Sequence, residues 1–163
     1  MRYTTTLLLC LLVIPAVMPL SAESGANVDL PTRARGAALV VVGEVERVRA
    51  EYQRNEFGDR LIVSVAEVRV REVLKGTANA GDALTIDVEG GTVDGITLRV
   101  SDMPTMAPGE QAVLFVNKNR QGHNVPHLRG QGILKFDTNG RVLGTSLAID
   151  DVRRAVATGK QAR

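Results

Sequence analysis

The chain has 163 residues, 44% of them hydrophobic and 23% charged, a balance that argues against disorder and suits one domain with its own core. Its 20 lysines and arginines face 18 acids, so the formal net charge is only +2, and bulk charge supports neither a nucleic-acid nor an anionic-membrane partner.

Residues 1–22 predict a secretory signal. Arg2 supplies the positive start, Leu7 to Val17 is an apolar run interrupted by Pro15, and small residues follow at Ser21-Ala22 and Ser24-Gly25-Ala26. Cleavage after Ala22 or after Ala26 fits this pattern. The apolar run is shorter than the roughly 20 residues of a spanning helix, so no stable membrane span is expected once the leader is removed. Cys10, the one cysteine, lies inside that run. A mature domain over 27–163 then has no thiol for a disulfide, a thiolate zinc site or a cysteine nucleophile. No Asn-x-Ser/Thr sequon occurs, which fits export to a bacterial periplasm or medium.

In chain order, Pro31 to Ala38 predicts a short helix with Pro31 near its first position. Leu39 to Ala50 predicts a strand that Gly43 breaks with a bulge or coil. Leu61 to Leu74 predicts a second long strand with a change of phase. Leu61, Val63 and Val65 share one face, while Ala66, Val68 and Val70 share the other. Between them, Phe57-Gly58-Asp59 tips a hairpin connection. Leu84, Ile86 and Val88 alternate with polar residues, as do Ile96, Leu98 and Val100, with Gly90-Gly91 and Asp94-Gly95 in the connection. Ala112 to Val116 is apolar on both faces and belongs at the centre of a sheet. Gly132 to Asp137 and Arg141 to Leu143 flank Asn139-Gly140, a strong hairpin signal. Asp150 to Thr158 predicts a closing helix, acidic at its start and stopped by Gly159. These elements imply an all-β, mainly antiparallel fold with one or two short helices. The two long, bent leading strands favour a small OB-like Greek-key β-barrel over residues 27–163.

The run Val40-Val41-Val42-Gly43-Glu44-Val45, then Val65-Ala66-Glu67-Val68 leading to Val73-Leu74-Lys75-Gly76, resembles the opening of netrin-like OB domains, which include the tissue inhibitors of metalloproteinases. Gly109-Glu110 before Ala112 to Phe115 is similar to a later strand entry of that class. The resemblance implies the fold. It does not bring the inhibitory mechanism, because those inhibitors chelate zinc through an N-terminal cysteine that a mature chain here lacks.

The two histidines, His123 and His127, are four apart, but Gly122 and Pro126 oppose the helix that would let them share a metal, and no acid lies between Lys118 and Lys135. No metal site and no cofactor motif is therefore expected. Gly144-Thr145-Ser146-Leu147-Ala148 mimics a nucleophile elbow, yet no histidine follows Ser146, which reads better as a turn near a helix cap. Asp87 and Glu89 alternate with the apolar side of their strand, and the expectation is that they face solvent. Nucleic-acid and sugar sites need aromatic platforms, and beyond the leader the aromatics are Tyr52, Phe57, Phe115 and Phe136 alone. Arg69, Arg71 and Lys75, interleaved with Glu67 and Glu72, read as a solvated mixed-charge face.

With no catalytic set emerging, the expectation is an exported, non-enzymatic module that binds a protein or cell-envelope component through its loops. The basic connection Asn117 to Arg129, with Arg120, His123, His127 and Arg129, is the first candidate surface. The hairpin tip at Tyr52 and Phe57 is the second. The alternatives are a small exported hydrolase built from carboxylates and His123/His127, and an envelope oligonucleotide or oligosaccharide binder.

Overall fold

The computed structural model describes residues 27–55 and 57–161, so the expected leader lies outside the described residues. Asp29 caps α1 (Leu30–Gly36) by accepting the Thr32 N–H at 2.8 Å, and Pro31 sits in the first turn, where its missing donor costs nothing. β1 (Leu39–Arg54) and β2 (Arg60–Lys75) form a long antiparallel hairpin. β3 (Ala83–Glu89) pairs with β2, and β6 (Gln111–Lys118) pairs with β1. β7 (Asn124–Pro126) and β8 (Ile133–Phe136) both pair with β6. β4 (Gly91–Val93) and β5 (Ile96–Leu98) make a separate small ribbon, and α2 (Ile149–Gln161) closes the chain. The class is all-β and antiparallel, with two α-helices among the described residues, as the sequence implies.

The barrel itself is not closed. The sheet runs β3-β2-β1-β6-β7, and its outer strands β3 and β7 approach without a main-chain ladder. β7 has only three residues, and the last, Pro126, has no N–H to donate. Side chains span the seam instead, with Asn124 Nδ2 donating to Thr85 O at 2.9 Å.

The change of phase read in the second strand is not a break in it: β2 keeps one register with β3 from Val63 to Arg69, so Val63 and Val65 lie on one face and Ala66 and Val68 on the other. The β1–β2 register slips between Val42 and Gly43 and again between Val45 and Arg47, leaving Glu46 without an opposite residue. Val41 and Val45 face the core before the slip and Val48 faces it after. A Cβ on Gly43 would run into the Val68 side chain, so glycine at that bulge is a packing requirement.

Two apolar clusters lie on opposite sides of the β1–β6 pair. Val41, Val45, Ala66, Val68, Ile86, Leu114 and Val116 form one, inside the curl of the sheet. Val40, Val42, Val113 and Phe115 meet Ala34, Val152 and Val156 of the two helices in the other. β6 is therefore buried on both faces, the reason its sequence does not alternate.

Three hairpin tips share one construction, an Asn or Asp followed three residues later by a glycine of positive φ. In Asn55–Asp59, Asn55 Oδ1 accepts the N–H groups of Phe57 and Asp59 at 3.0 and 2.8 Å. Asn119 Oδ1 accepts His123 N–H at 2.9 Å, and Asp137 Oδ1 accepts Asn139 and Arg141 N–H, each at 2.9 Å. Gly58, Gly122 and Gly140 supply the left-handed residue, with φ of 89°, 86° and 74°. At the Gly144–Ala148 turn, Asp151 and not Ser146 caps α2, accepting the Ala148 N–H at 2.8 Å.

Candidate functional site

On β2 and β3, cross-strand partners project together, so Val63 beside Glu89 and Val65 beside Asp87 share the face opposite the core. The β1–β2 tip rises at one side of this face and the β6–β7 tip at the other. Between them lies a cleft of about 730 Å³, floored by Val63, Asp87 and Glu89. Phe57, Arg120, His123 and Arg129 all line it, which unites segments about 60 residues apart in sequence. Gln121 Nε2 reaches Arg54 O at 3.4 Å, joining the two tips. Phe57 is 79% exposed at the rim.

Asp87 corrects the expectation that it faces solvent. Its side chain is only 11% exposed, and His123 Nδ1 lies 2.8 Å from its Oδ2. Alternation assigned Asp87 to the correct face, but a neighbouring hairpin covers that face. Arg129 closes one end of the cleft. Its Nε and Nη2 bond Asp102 at 2.5 and 3.1 Å, and Nη2 also bonds Glu89 at 3.0 Å. These hydrogen bonds, Asp102's first, raise the Arg129 pKa above its ordinary value, and Arg129 in turn lowers the Asp102 carboxyl. Leu128 and Arg129 are both left-handed, with φ of 57° and 56°, so the backbone that aims this guanidinium is strained.

Two expected site residues lie elsewhere. Tyr52 does not line the cleft; its ring carries the Arg60 guanidinium 3.7 Å from the centroid. His127 packs against Gly36 at the end of α1, where a Cβ would collide with its Nε2. The Asn117 amide is oriented because its Oδ1 accepts the Ala38 N–H at 2.6 Å, so its Nδ2 donates to His127 Nδ1 at 3.0 Å. That contact suits a neutral imidazole. Burial first, then the charges of Lys75 and Arg33, push the His127 pKa down. The two histidines therefore do not converge. Among the described residues no group of three or more His, Cys, Asp or Glu is placed to hold a metal ion. No helix among them is long and apolar enough to cross a membrane.

The basic run of β2 is engaged side chain by side chain. Arg69 pairs with Glu46 at 2.9 Å and Arg71 with Glu44 at 2.8 Å, both on exposed surface. Lys75 Nζ donates to the carbonyls of Ala34, Arg35 and Ala37.

No protein-family model matches the chain, and no curated protein is significantly similar to it.

Proposed function

We propose that the chain is an exported, non-enzymatic binding module whose partner, a protein or cell-envelope component, sits in the cleft between the β1–β2 and β6–β7 tips. The observation that carries this reading is the convergence of Phe57, Arg120, His123 and Arg129 on one concave surface. Concave sites that combine apolar surface with a few converging polar groups are the usual seats of ligands. The netrin-like resemblance supports the position of the cleft, since the face of the second and third strands with the adjoining loops is where OB folds hold their ligands. Export rests on the leader-like residues 1–22.

The test is capture of envelope and secreted fractions on the immobilised protein, beside Phe57→Ser and a variant with Arg120–Gln121 replaced by Gly-Ser. The expected result is one saturable partner that both variants lose. Retention unchanged by both variants would sink the assignment of the cleft.

A second reading, hydrolysis with His123 as general base, draws on its 2.8 Å contact with Asp87. Among the described residues the cleft lining contains no Ser, Thr or Cys, so water would be the nucleophile. Turnover of a panel of chromogenic esters and phosphodiesters, abolished by His123→Gln, would favour it.

A further inference from the structure

We infer that the cleft takes an extended, acidic peptide segment of a protein partner, an inference that rests on the binding-module reading. The charges lining the cleft differ in how far they are satisfied. Arg129 is spent on Asp102 and Glu89, and Asp87 is covered by His123. Arg54 and Lys118, one on each facing tip, are exposed, and their hydrogen bonds go to neutral oxygens. Arg54 donates to Gly58 O at 2.9 Å, and Lys118 to Gly122 O at 3.0 Å and Asn124 Oδ1 at 3.3 Å. Each rim thus offers one exposed cation bonded to neutral oxygens, above Asp87 and Glu89 that are already engaged. Such a surface complements negative charge arriving from solvent.

The apolar share of the lining restricts the ligand further. Leu61, Val63 and Val125 lie along the cleft with exposed Phe57 beside them. A ligand whose side chains alternate between acid and aliphatic would set carboxylates against Arg54 and Lys118 and apolar groups on that floor. A single-stranded nucleic acid would need a row of stacking rings, and among the described residues Phe57 is the one aromatic in the lining.

Fluorescence anisotropy with three labelled probes tests this: a short peptide alternating aspartate and valine, its lysine-valine counterpart, and oligothymidylate. The aspartate-valine peptide is expected to bind saturably and the other two not to. Its affinity is expected to fall about tenfold on moving from low to high salt. Arg54→Glu with Lys118→Glu is expected to reverse the preference between the two peptides, and Arg54→Gln with Lys118→Gln to lose the acidic one while the fold, followed by circular dichroism, stays intact. Equal binding of both peptides, preference for oligothymidylate, or unchanged affinity in the glutamine variant would overturn the inference. If the acidic peptide fails while Phe57→Ser still releases a captured partner, the ligand class falls and the module reading stands. If both fail, both fall.

Discussion

His123 Nδ1 and Asp87 Oδ2, 2.8 Å apart, fasten the tip of the β6–β7 hairpin to β3 across a seam that has no main-chain ladder. Asp87 is largely covered while His123 stays half exposed, so the pair acts as a clasp at the cleft wall. Asp87→Asn and His123→Gln are each expected to cost about 0.5–1.5 kcal/mol in urea unfolding. In a double-mutant cycle the two should couple, and amide exchange at 119–123 should quicken in each single variant. Strictly additive costs would show that the tip is held by its other contacts, Asn124 on Thr85 among them, and not by this pair.

His127 makes stability depend on pH. Its folded pKa is pushed below the ordinary 6.5, so the unfolded chain binds the proton more readily. Stability is therefore full above that value, declines as pH falls through it, and levels off below the folded pKa. His127→Gln keeps a polar side chain beside Asn117 and removes the titration. Urea midpoints measured between about pH 7 and 5 should fall more steeply in the wild type than in this variant. Parallel profiles would show that His127 is not a source of the pH dependence.

Much of the fold was legible because its signals are local. Gly43 announced the bulge, and the doubly apolar Ala112 to Val116 announced the strand buried on both sides. The cleft was half legible: Phe57 and the connection Asn117 to Arg129 were singled out separately. Nothing local says that two hairpin tips lean together, since that depends on the curl of a sheet whose bulges accumulate over sixteen residues of β1. For the same reason alternation alone places Asp87 in solvent, although the β6–β7 tip covers it. Of the three Asn/Asp-x-x-Gly tips, those at Gly58 and Gly140 carry local turn signals, and the third, at Gly122, is hidden inside the long connection. The expected loop Asn117 to Arg129 also conceals β7, because a three-residue strand ending in proline carries no periodic pattern.

Leu128 and Gly130 sit two residues apart and should respond in opposite directions. Leu128 is partly exposed, with a positive φ that a side chain opposes. Leu128→Gly relieves that strain and is expected to leave stability unchanged or raise it by up to about 1 kcal/mol. Gly130 is packed so closely on Asp102 O that a Cβ would overlap it. Gly130→Ala must displace either the 102–104 segment or the strained turn, and with it the Arg129–Asp102 pair. Thermal melts should place Gly130→Ala well below the wild type and Leu128→Gly at or above it. The reverse order would mean that the 128–132 turn is not built as described.

The Val73-Leu74-Lys75-Gly76 step joins the end of β2 to α1, and this joint predicts what its lysine does. α1 ends without the left-handed glycine that commonly closes a helix; Ala37, its C-cap residue, is extended. The Lys75 ammonium takes over, donating to Ala34 O at 2.8 Å, Arg35 O at 3.0 Å and Ala37 O at 2.5 Å. A cation at that end also meets the negative pole of the helix. Gly76 makes the approach possible, since a Cβ there would lie 2.7 Å from Ala38 O. Lys75→Met keeps the aliphatic stem and removes the donors, leaving last-turn carbonyls without them, and is expected to cost about 1–3 kcal/mol. Amide exchange in 30–38 should rise with it while β3 stays protected. Lys75→Arg, whose planar fork cannot converge on three carbonyls in the same way, should recover only part of the loss. A Lys75→Met melt that overlays the wild type would mean that α1 is held by its other contacts, such as Ala34 and Ala37 in the second apolar cluster and Arg33 on Gln131 O, and not by this lysine.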